Sequence, residues 1–131
     1  MPRVRVTAEH SYDVTIGSQW RNDLAVLAAN RSRIAIISSA ANREVIGEIP
    51  KLSGDVIRIE IADGEAGKST QSLLDIISRL GEAGLTRSDL IVAIGGGAVT
   101  DIAGFAAATW LRGVDWISIP TTVAGAVDAA I

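Results

Sequence analysis

The sequence predicts an α/β protein with a mostly parallel sheet and helices on both faces. The first observation is that strand-like and helix-like runs alternate along the chain, which is the order that βα units produce. The second is an apolar run at 90–94, typical of a strand buried on both faces of a parallel sheet. The third is the triple glycine at 95–97, where this strand turns into an Ala-rich helix. The 131 residues are enough for one domain with a substantial core.

The N-terminal segment predicts a short strand pair followed by a helix. Residues 4–6 and 12–16 supply the strands, joined by a polar turn that contains His10. The next segment has apolar residues at helical spacing, and one face of this helix carries Trp20, Leu24, Leu27 and Ala28.

The middle of the chain predicts two strands with a short helix between them. Residues 34–37 form a compact buried strand. A short helix over residues 45–49 is stopped by Pro50, which cannot continue it. Residues 56–61 alternate between isoleucine and charged side chains, so this strand is expected nearer an edge of the sheet.

The second half of the chain repeats the strand and helix order. An amphipathic helix ends at Gly81 and Gly84, and its apolar face consists of Leu73, Ile76, Ile77 and Leu80. The strand at 90–94 and its following helix come next, and residues 116–119 form the last predicted strand. No repeat or linker interrupts this order, so a single domain is expected.

A strand, a glycine turn and a helix N-terminus together make a site for an anionic ligand. Glycine lets a ligand approach the backbone, and the free amides and dipole of the helix favour a phosphate, such as the diphosphate of a nucleotide. The turn departs from two common patterns, because Thr100 breaks GxGxxG and no Lys-Ser or Lys-Thr pair follows the glycines. The alternative is a turn that only lets the helix pack tightly on the sheet.

Asp101 is the only charged residue of this helix before Arg112. A carboxylate in the first turn of a helix is favoured by the dipole. Asp101 is therefore expected to stabilise the helix start or to hold a ligand hydroxyl, and the two roles are compatible.

Ligands of parallel sheets bind where loops leave the carboxyl ends of the strands. Three loops qualify here: residues 63–68, the triple glycine, and residues 120–122. The acid and the lysine of the first loop, Glu65 and Lys68, could fix a ribose hydroxyl or an adenine edge, and the alternative is a solvated turn that caps a helix. The two threonines of the third loop could cap a helix or bond a phosphate.

The composition argues against several functions. A net charge of −3 without a basic cluster argues against a nucleic-acid partner. The absence of cysteine excludes disulfides, thiolate catalysis and Cys-ligated metals. The hydrophobic stretch at 90–111 is not expected to span a membrane, because Asp101 lies at its centre and the glycines interrupt it. The first residues lack the apolar core of a signal peptide, so a cytoplasmic location is expected.

Three segments resemble the 3-dehydroquinate synthase family in order along essentially the whole chain. They are Asp63-Gly-Glu-Ala-Gly-Lys68, the block from Gly95 through Asp101 to Arg112-Gly-Val, and Ile119-Pro-Thr-Thr122 with Val127-Asp128. The resemblance implies a Rossmann-like, NAD-binding N-terminal domain over residues 1–131, without the helical C-terminal domain that holds zinc or cobalt. It also implies a phosphate-eliminating lyase of the shikimate pathway, which converts 3-deoxy-D-arabino-heptulosonate 7-phosphate to 3-dehydroquinate with transient use of NAD.

The resemblance also implies site residues, although it gives this chain no metal ligand and no catalytic residue. The substrate contacts within the chain are Arg112 and Asp128. A guanidinium grips a carboxylate or phosphate bidentately, and the alternative for Arg112 is to complement the dipole of the helix before it. The implied NAD contacts are Asp63, Gly64, Glu65, Lys68, Gly96, Gly97, Ala98, Val99, Thr100, Asp101, Thr121 and Thr122.

The chain also departs from the family pattern. The metal-binding Glu and the two His are absent, and the only histidine, His10, is expected to be a solvent-facing turn residue. At 38–40 the family usually has an acidic or amide residue facing the adenosine ribose, and the substitute here is Ser39 or Asn42. The chain alone is therefore expected to be inactive, and a homodimer is expected only for the full-length enzyme.

Three other interpretations stay open at this point. Other sugar-phosphate cyclases, which make inosose or valiolone products, share the NAD motifs. Metal-dependent polyol dehydrogenases share the glycine turn and the following Asp, but they fit the block through Arg112 less well. A non-catalytic nucleotide-binding module would explain the missing metal ligands.

Overall fold

The computed structural model describes residues 2–17 and 19–129, with the side chains of 128 and 129 excepted. The strands in chain order are β1 (Arg3–Val6), β2 (Tyr12–Thr15), β3 (Arg33–Ser39), β4 (Asp55–Ile61), β5 (Leu90–Gly95) and β6 (Asp115–Pro120). The helices are α1 (Trp20–Leu27), α2 (Arg43–Ile46), α3 (Thr70–Glu82) and α4 (Gly97–Thr109). Short 3₁₀ turns at Ala40–Asn42, Gly64–Gly67 and Trp110–Arg112 and a π-helical segment at Gly125–Ala129 complete these elements.

The main sheet has four strands, all parallel, in the order β4-β3-β5-β6. The two central strands, β3 and β5, are buried along almost their whole length, as their apolar sequences predict. Strand β4 lies at an edge, which confirms the expectation from its alternating sequence. Strands β1 and β2 form a separate antiparallel pair.

Helices cover both faces of the four-stranded sheet. On one face α3 and α4 pack against Ala35 and Ile37 of β3 and against the matching residues of β5. On the other face α1 and α2 pack against Ile34 and Ile36. Because successive side chains of a strand point to opposite faces, each central strand serves both apolar layers. The predicted α/β architecture is therefore confirmed.

Three helix boundaries differ from the expectations. Helix α1 ends at Leu27, which is 59% exposed. The buried residues on this side are Leu24 and Ala28. Helix α2 ends at Ile46, where Gly47 takes a φ of 58°, and not at Pro50. Val45 is consequently exposed.

The third difference concerns α3, which runs through Gly81. The left-handed residue that follows the helix is Gly84, with a φ of 69°. A Cβ on Gly81 would lie 3.6 Å from the Trp110 Cη2, an ordinary contact, so Gly81 is an interior residue of α3 next to Trp110.

The hydrophobic stretch at 90–111 is divided into β5, a turn and α4. Within the described part of the chain, no helix has the length and apolar sequence that crossing a membrane requires.

Candidate functional site

The carboxyl ends of the four parallel strands meet at one edge of the sheet. From β3 the chain first continues to β4 on one side and later adds β5 on the other side. This reversal of strand order makes a crevice between the ends of β3 and β5, the usual ligand position in such sheets. The loops predicted to converge here, 63–68, 95–97 and 120–122, all follow strands at this edge.

The glycine turn ends β5 and begins α4 without a side-chain cap. None of its three glycines has a positive φ, so backbone strain does not explain them. A Cβ on Gly95 would lie 2.8 Å from the Val99 Cβ and 2.9 Å from the Asn42 Oδ1. Tight packing therefore accounts for Gly95, in agreement with the alternative that the turn lets the helix pack closely on the sheet.

The amides at the start of α4 remain available for an anion. The first helical hydrogen bond is donated by Thr100 to the Gly96 carbonyl at 3.1 Å. The amides of Gly97, Ala98 and Val99 precede it and have no acceptor among the described residues. The Thr100 hydroxyl also donates to the Gly96 carbonyl, and the Val99 side chain is buried, so the exposed donors of this segment are backbone amides.

The segment after β6 lies directly against the glycine turn. The Thr121 amide donates to the Gly95 carbonyl at 2.8 Å. The Thr122 hydroxyl accepts a hydrogen bond from the Gly125 amide at 3.0 Å, which confirms its predicted capping role. A Cβ on Gly96 would lie 3.3 Å from the Thr122 Cγ2, so the two loops touch.

An ion pair joins the loop after β4 to helix α4. The Lys68 Nζ lies 2.6 Å from Asp101 Oδ2 and 3.7 Å from Glu65 Oε2. Hydrogen bonding and charge attraction by Asp101, with a further attraction by Glu65, raise the pKa of Lys68 above its ordinary value. Asp101 is the fifth residue of α4 and outside its first turn, so the expectation of a helix-start role was wrong.

The loop after β4 does not cap α3 through its acids. Ser69 is the cap residue, and its Oγ accepts a hydrogen bond from the Ser72 amide at 3.1 Å. Gly64 adopts a φ of 62° in the exposed turn that precedes this cap. Glu65 and Lys68 therefore do not cap α3, which was the alternative considered for this loop.

The loop after β3 is tied to the same neighbourhood by two hydrogen bonds. The Ser39 hydroxyl donates to Asn42 Oδ1 at 2.7 Å, and Ser39 is 4% exposed. The Ala41 amide donates to Asp63 Oδ1 at 2.8 Å, which brings the loop after β4 over the loop after β3.

A second ion pair at this edge was missed by sequence reasoning. Arg43 donates to Glu60 through Nε at 2.7 Å and through Nη2 at 2.5 Å. Hydrogen bonding to Arg43 lowers the pKa of Glu60, and the same bond raises the pKa of Arg43. The only signal in the sequence was the outward position of Glu60 in alternating β4.

Of the two predicted substrate contacts, Arg112 is not brought to this edge of the sheet. Arg112 follows α4, whose 13 residues begin at the glycine turn, so it lies about 20 Å away at the opposite edge of the sheet. There it lines a surface depression of about 570 Å³ with Arg87, Asp115 and Trp116. The Asp128 side chain lies outside the described residues.

Metal ligands do not cluster in the described part of the chain. Within it, no group of three His, Cys, Asp or Glu side chains comes together to hold a metal ion. His10 is exposed in the turn between β1 and β2.

Comparison of sequences gives one family and many relatives. Residues 58–131 match the model of the 3-dehydroquinate synthase N-terminal domain. The chain is 46% identical over 125 residues to 3-dehydroquinate synthase of Thermobifida fusca, covering 92% of this chain and 34% of the relative. It is 46% identical over 132 residues to the enzyme of Mycobacterium leprae, covering 98% and 37%. The chain thus spans about a third of the length of these curated relatives.

Comparison of structures finds sugar-phosphate cyclases. A 2-deoxy-scyllo-inosose synthase complexed with carbaglucose-6-phosphate, NAD+ and Co2+ matches with a TM-score of 0.79 and 22% identity, over 98% of this chain and 38% of the other. A 2-epi-5-epi-valiolone synthase from Streptomyces hygroscopicus with NAD+ and Zn2+ bound matches with a TM-score of 0.75 and 29% identity, with the same coverage.

Proposed function

The chain belongs to the 3-dehydroquinate synthase family, whose N-terminal domain it matches, and on that premise we propose that it forms the NAD-binding half of a 3-dehydroquinate synthase. The whole enzyme would convert 3-deoxy-D-arabino-heptulosonate 7-phosphate to 3-dehydroquinate and phosphate, a step toward chorismate and the aromatic amino acids. The observation that carries the proposal is the uncapped start of α4 at the switch point of the sheet, flanked by the loops after β3, β4 and β6.

The residues present fit a dinucleotide. Three unpaired amides at the start of α4, those of Gly97, Ala98 and Val99, supply donors for a diphosphate. Asp101 supplies an acceptor for a ribose hydroxyl, and Lys68 holds its carboxylate at 2.6 Å. When bound, NAD supplies a hydride acceptor that later returns the hydride. The chain's own part is to bind and orient this cofactor.

The described residues do not fit the divalent metal, because no set of three suitable side chains comes together among them. Both relatives of known structure named above contain a metal, Co2+ in one and Zn2+ in the other. The metal of the whole enzyme is therefore proposed to be zinc or cobalt, bound outside the residues described.

The partner implied by this proposal is a small sugar-acid phosphate. The expected homodimer, the cytoplasmic location and the exclusion of nucleic acid stay predictions.

A chimera tests the proposed function. This chain would replace the matching third of the Thermobifida fusca enzyme, and phosphate release from the heptulosonate phosphate would be followed with NAD and Zn2+ present. Turnover by the chimera is expected, and a second chimera with Gly97→Val should release no phosphate. A folded chimera that binds NAD without turnover would favour a non-catalytic nucleotide-binding module.

A further inference from the structure

We infer that the outer edge of strand β2 pairs with the same edge of a second copy of this chain. The antiparallel register that places Val14 opposite Val14 of the second copy joins the two strand pairs into one four-stranded sheet. The inference goes beyond the nucleotide site and does not rest on it. It gives the homodimer that is expected of the full-length enzyme a defined surface within this chain.

The strand pair β1–β2 has little support from the rest of the described chain. It forms a two-stranded sheet of its own, and all of its residues except Val6 are exposed. One face of the pair is apolar, and its side chains Val4, Tyr12, Val14 and Ile16 are each about half-exposed. A two-stranded pair is marginal in water, whereas three or more strands with an apolar face are stable. Added strands are therefore the support that this pair lacks.

The hydrogen bonds of the ladder show which backbone groups of β2 are free. The Ile16 amide donates to the Pro2 carbonyl at 2.9 Å, so Ile16 turns its backbone groups toward β1. Hydrogen-bonded and non-hydrogen-bonded residues alternate along an antiparallel strand. The backbone groups of Val14 therefore also face β1, and those of Asp13 and Thr15 face outward. No partner for these outward groups is found among the described residues, and such an edge is a template for another strand.

Charge favours the edge of β2 over the edge of β1. The outward residues of β1 are Arg3 and Arg5, so every antiparallel register confined to two copies of β1 places arginines opposite each other. Like charges directly opposite are destabilising. The outward residues of β2 are Asp13 and Thr15, and a register with Asp13 opposite Thr15 of the second copy brings no like charges together. Asp13 is also partly neutralised within its own chain, since Arg5 lies 3.0 Å from it.

The same register gives the longest overlap of the two strands. In it the amides and carbonyls of Asp13 and Thr15 exchange hydrogen bonds with the second copy, and the two-fold axis repeats them. Val14 lies opposite Val14 of the second copy, and Tyr12 lies opposite Ile16, all on the apolar face. The next register in one direction places Asp13 opposite Asp13, and the next in the other direction loses the contact of Tyr12.

The size of the contact predicts a weak dimer. It comprises residues 12–16 of each copy, whereas each partner of a standard complex buries about 800 Å² over about 20–30 residues. We therefore expect a dissociation constant of roughly 10 μM to 1 mM for the chain. The closed two-fold pairing also predicts that association stops at the dimer.

Sedimentation equilibrium over a concentration series that brackets this range tests the pairing. The purified chain should show monomer and dimer and nothing larger. Thr15→Pro should abolish the dimer and spare the ladder to β1, because proline is tolerated at an edge position whose N–H faces solvent. Arg3→Pro is the matched control, since it makes the same change directly across the ladder, on the outer edge of β1. It should leave the dimer in place.

Two further variants separate the dimer from the stability of the strand pair. Thr15 lies opposite Arg3 of its own chain and, in the inferred register, opposite Asp13 of the second copy. Thr15→Asp should therefore raise the thermal midpoint slightly and raise the dissociation constant by about two- to tenfold. Thr15→Lys should lower both. A purely structural role of Thr15 would instead make the less stable variant the weaker dimer.

Cysteine crosslinking tests the register, because the chain contains no cysteine of its own. Opposite Cα atoms of a non-hydrogen-bonded pair are about 4.5 Å apart, a distance that a disulfide bridges, so Val14→Cys should give a crosslinked dimer on oxidation. Val4→Cys is the matched control. Val4 lies on the same face and is similarly exposed, but three strand spacings, about 14 Å, separate it from its copy, so it should stay uncrosslinked.

Three results would overturn the inference. They are a chain that stays monomeric over the whole series, assemblies larger than a dimer, as pairing of β1 with β2 of the next copy would give, and equal crosslinking of the two cysteine variants. None of them bears on NAD binding. Calorimetry of the unaltered chain with NAD therefore tests the proposed function separately.

Discussion

At the scale of single residues, the glycines of the turn have different roles: one is required by packing, and another leaves room for a ligand to approach the backbone. Gly95 is occupied by packing against Val99 and Asn42, whereas Gly97 begins α4 and offers a free amide. Gly97→Val should therefore abolish NAD binding without unfolding the chain, because the side chain blocks approach to the helix start. Calorimetry with NAD and a circular dichroism melt measure the two properties. Unchanged NAD affinity in a folded variant would place the diphosphate elsewhere.

For Asp101, its place as the fifth residue of α4 excludes stabilisation of the first turn and leaves ligand binding or the ion pair with Lys68. Asp101→Ala should weaken NAD binding by about 1.5–3 kcal/mol, the loss expected for a hydrogen bond to a charged group. Lys68→Met is the companion variant. It removes the ion-pair partner of Asp101 and leaves the Asp101 carboxylate in place. If Asp101→Ala lowers the thermal midpoint while NAD affinity holds, the ion pair with Lys68 is structural only.

The Arg43–Glu60 pair predicts a pH dependence of stability. The folded-state pKa of Glu60 is lowered, so its contribution is present above the ordinary value of 4.5 and is lost as pH falls through the folded pKa. Urea unfolding of the chain and of Glu60→Gln should therefore differ at neutral pH and converge in acid. Asp55→Asn, whose carboxylate has no such partner among the described residues, serves as the comparison. A difference that persists below both pKa values would argue against the pair as its cause.

At the scale of elements, helix α4 connects the core to the site. Its face packs on β5 and β6, and a Cβ on Gly104 would lie 3.0 Å from the Trp116 Cη2. Gly104→Leu should destabilise the chain by about 1–3 kcal/mol, as overpacking does, and should also weaken NAD because α4 positions the amides. Chemical unfolding with a parallel NAD titration measures both. Replacing exposed Phe105 on the same helix by Leu should change neither.

The elements also show which parts of the fold the sequence could predict. The buried faces of strand β4 and helix α3 were predicted correctly, because a regular period over seven or more residues reports which face is buried. The ends of α1 and α2 were wrong at Leu27 and Val45, since in helices of eight and four residues tertiary contacts and Gly47 decide the boundary. Asp101 was expected in the first turn of its helix, but α4 begins at Gly97, which makes Asp101 the fifth residue.

The position of the candidate site at the carboxyl edge of the sheet could be predicted from the sequence. The hydrogen bonds and ion pairs between its loops could not. Parallel strands place their following loops together, so the convergence of the three loops follows from the order of elements alone. The bonds between these loops join residues far apart in the chain, such as Asp63 with Ala41 and Lys68 with Asp101. No local period encodes such pairs. They appear only once the register of the sheet is known.

At the scale of the whole molecule, apolar surface remains on the outside. Val4 and Val14 face each other on the separate strand pair and are about half-exposed, and Val123 and Val127 after β6 are more exposed still. An isolated two-stranded pair is marginal in water, and exposed apolar patches of this kind favour association.

The chain by itself should turn over no substrate. Elimination and ring closure need charge stabilised on oxygen, yet the described residues bring together no metal-ligand set. The one arginine predicted to grip the substrate, Arg112, lies about 20 Å along α4 from the glycine turn. The proposed NAD contacts lie in the loops at the carboxyl edge of the sheet, so binding without turnover is the expected outcome.

Incubation of the purified chain with NAD, Zn2+ and the heptulosonate phosphate, followed by measurement of released phosphate, checks this expectation. The chimera with the Thermobifida fusca enzyme is the positive control, since it adds to the same loops the two thirds of that relative which this chain does not cover. A rate within tenfold of a typical enzyme, roughly 10 per second, from the chain alone would mean that the loops after β3, β4, β5 and β6 hold a complete active site. The division between a cofactor half and a metal-binding half would then be wrong.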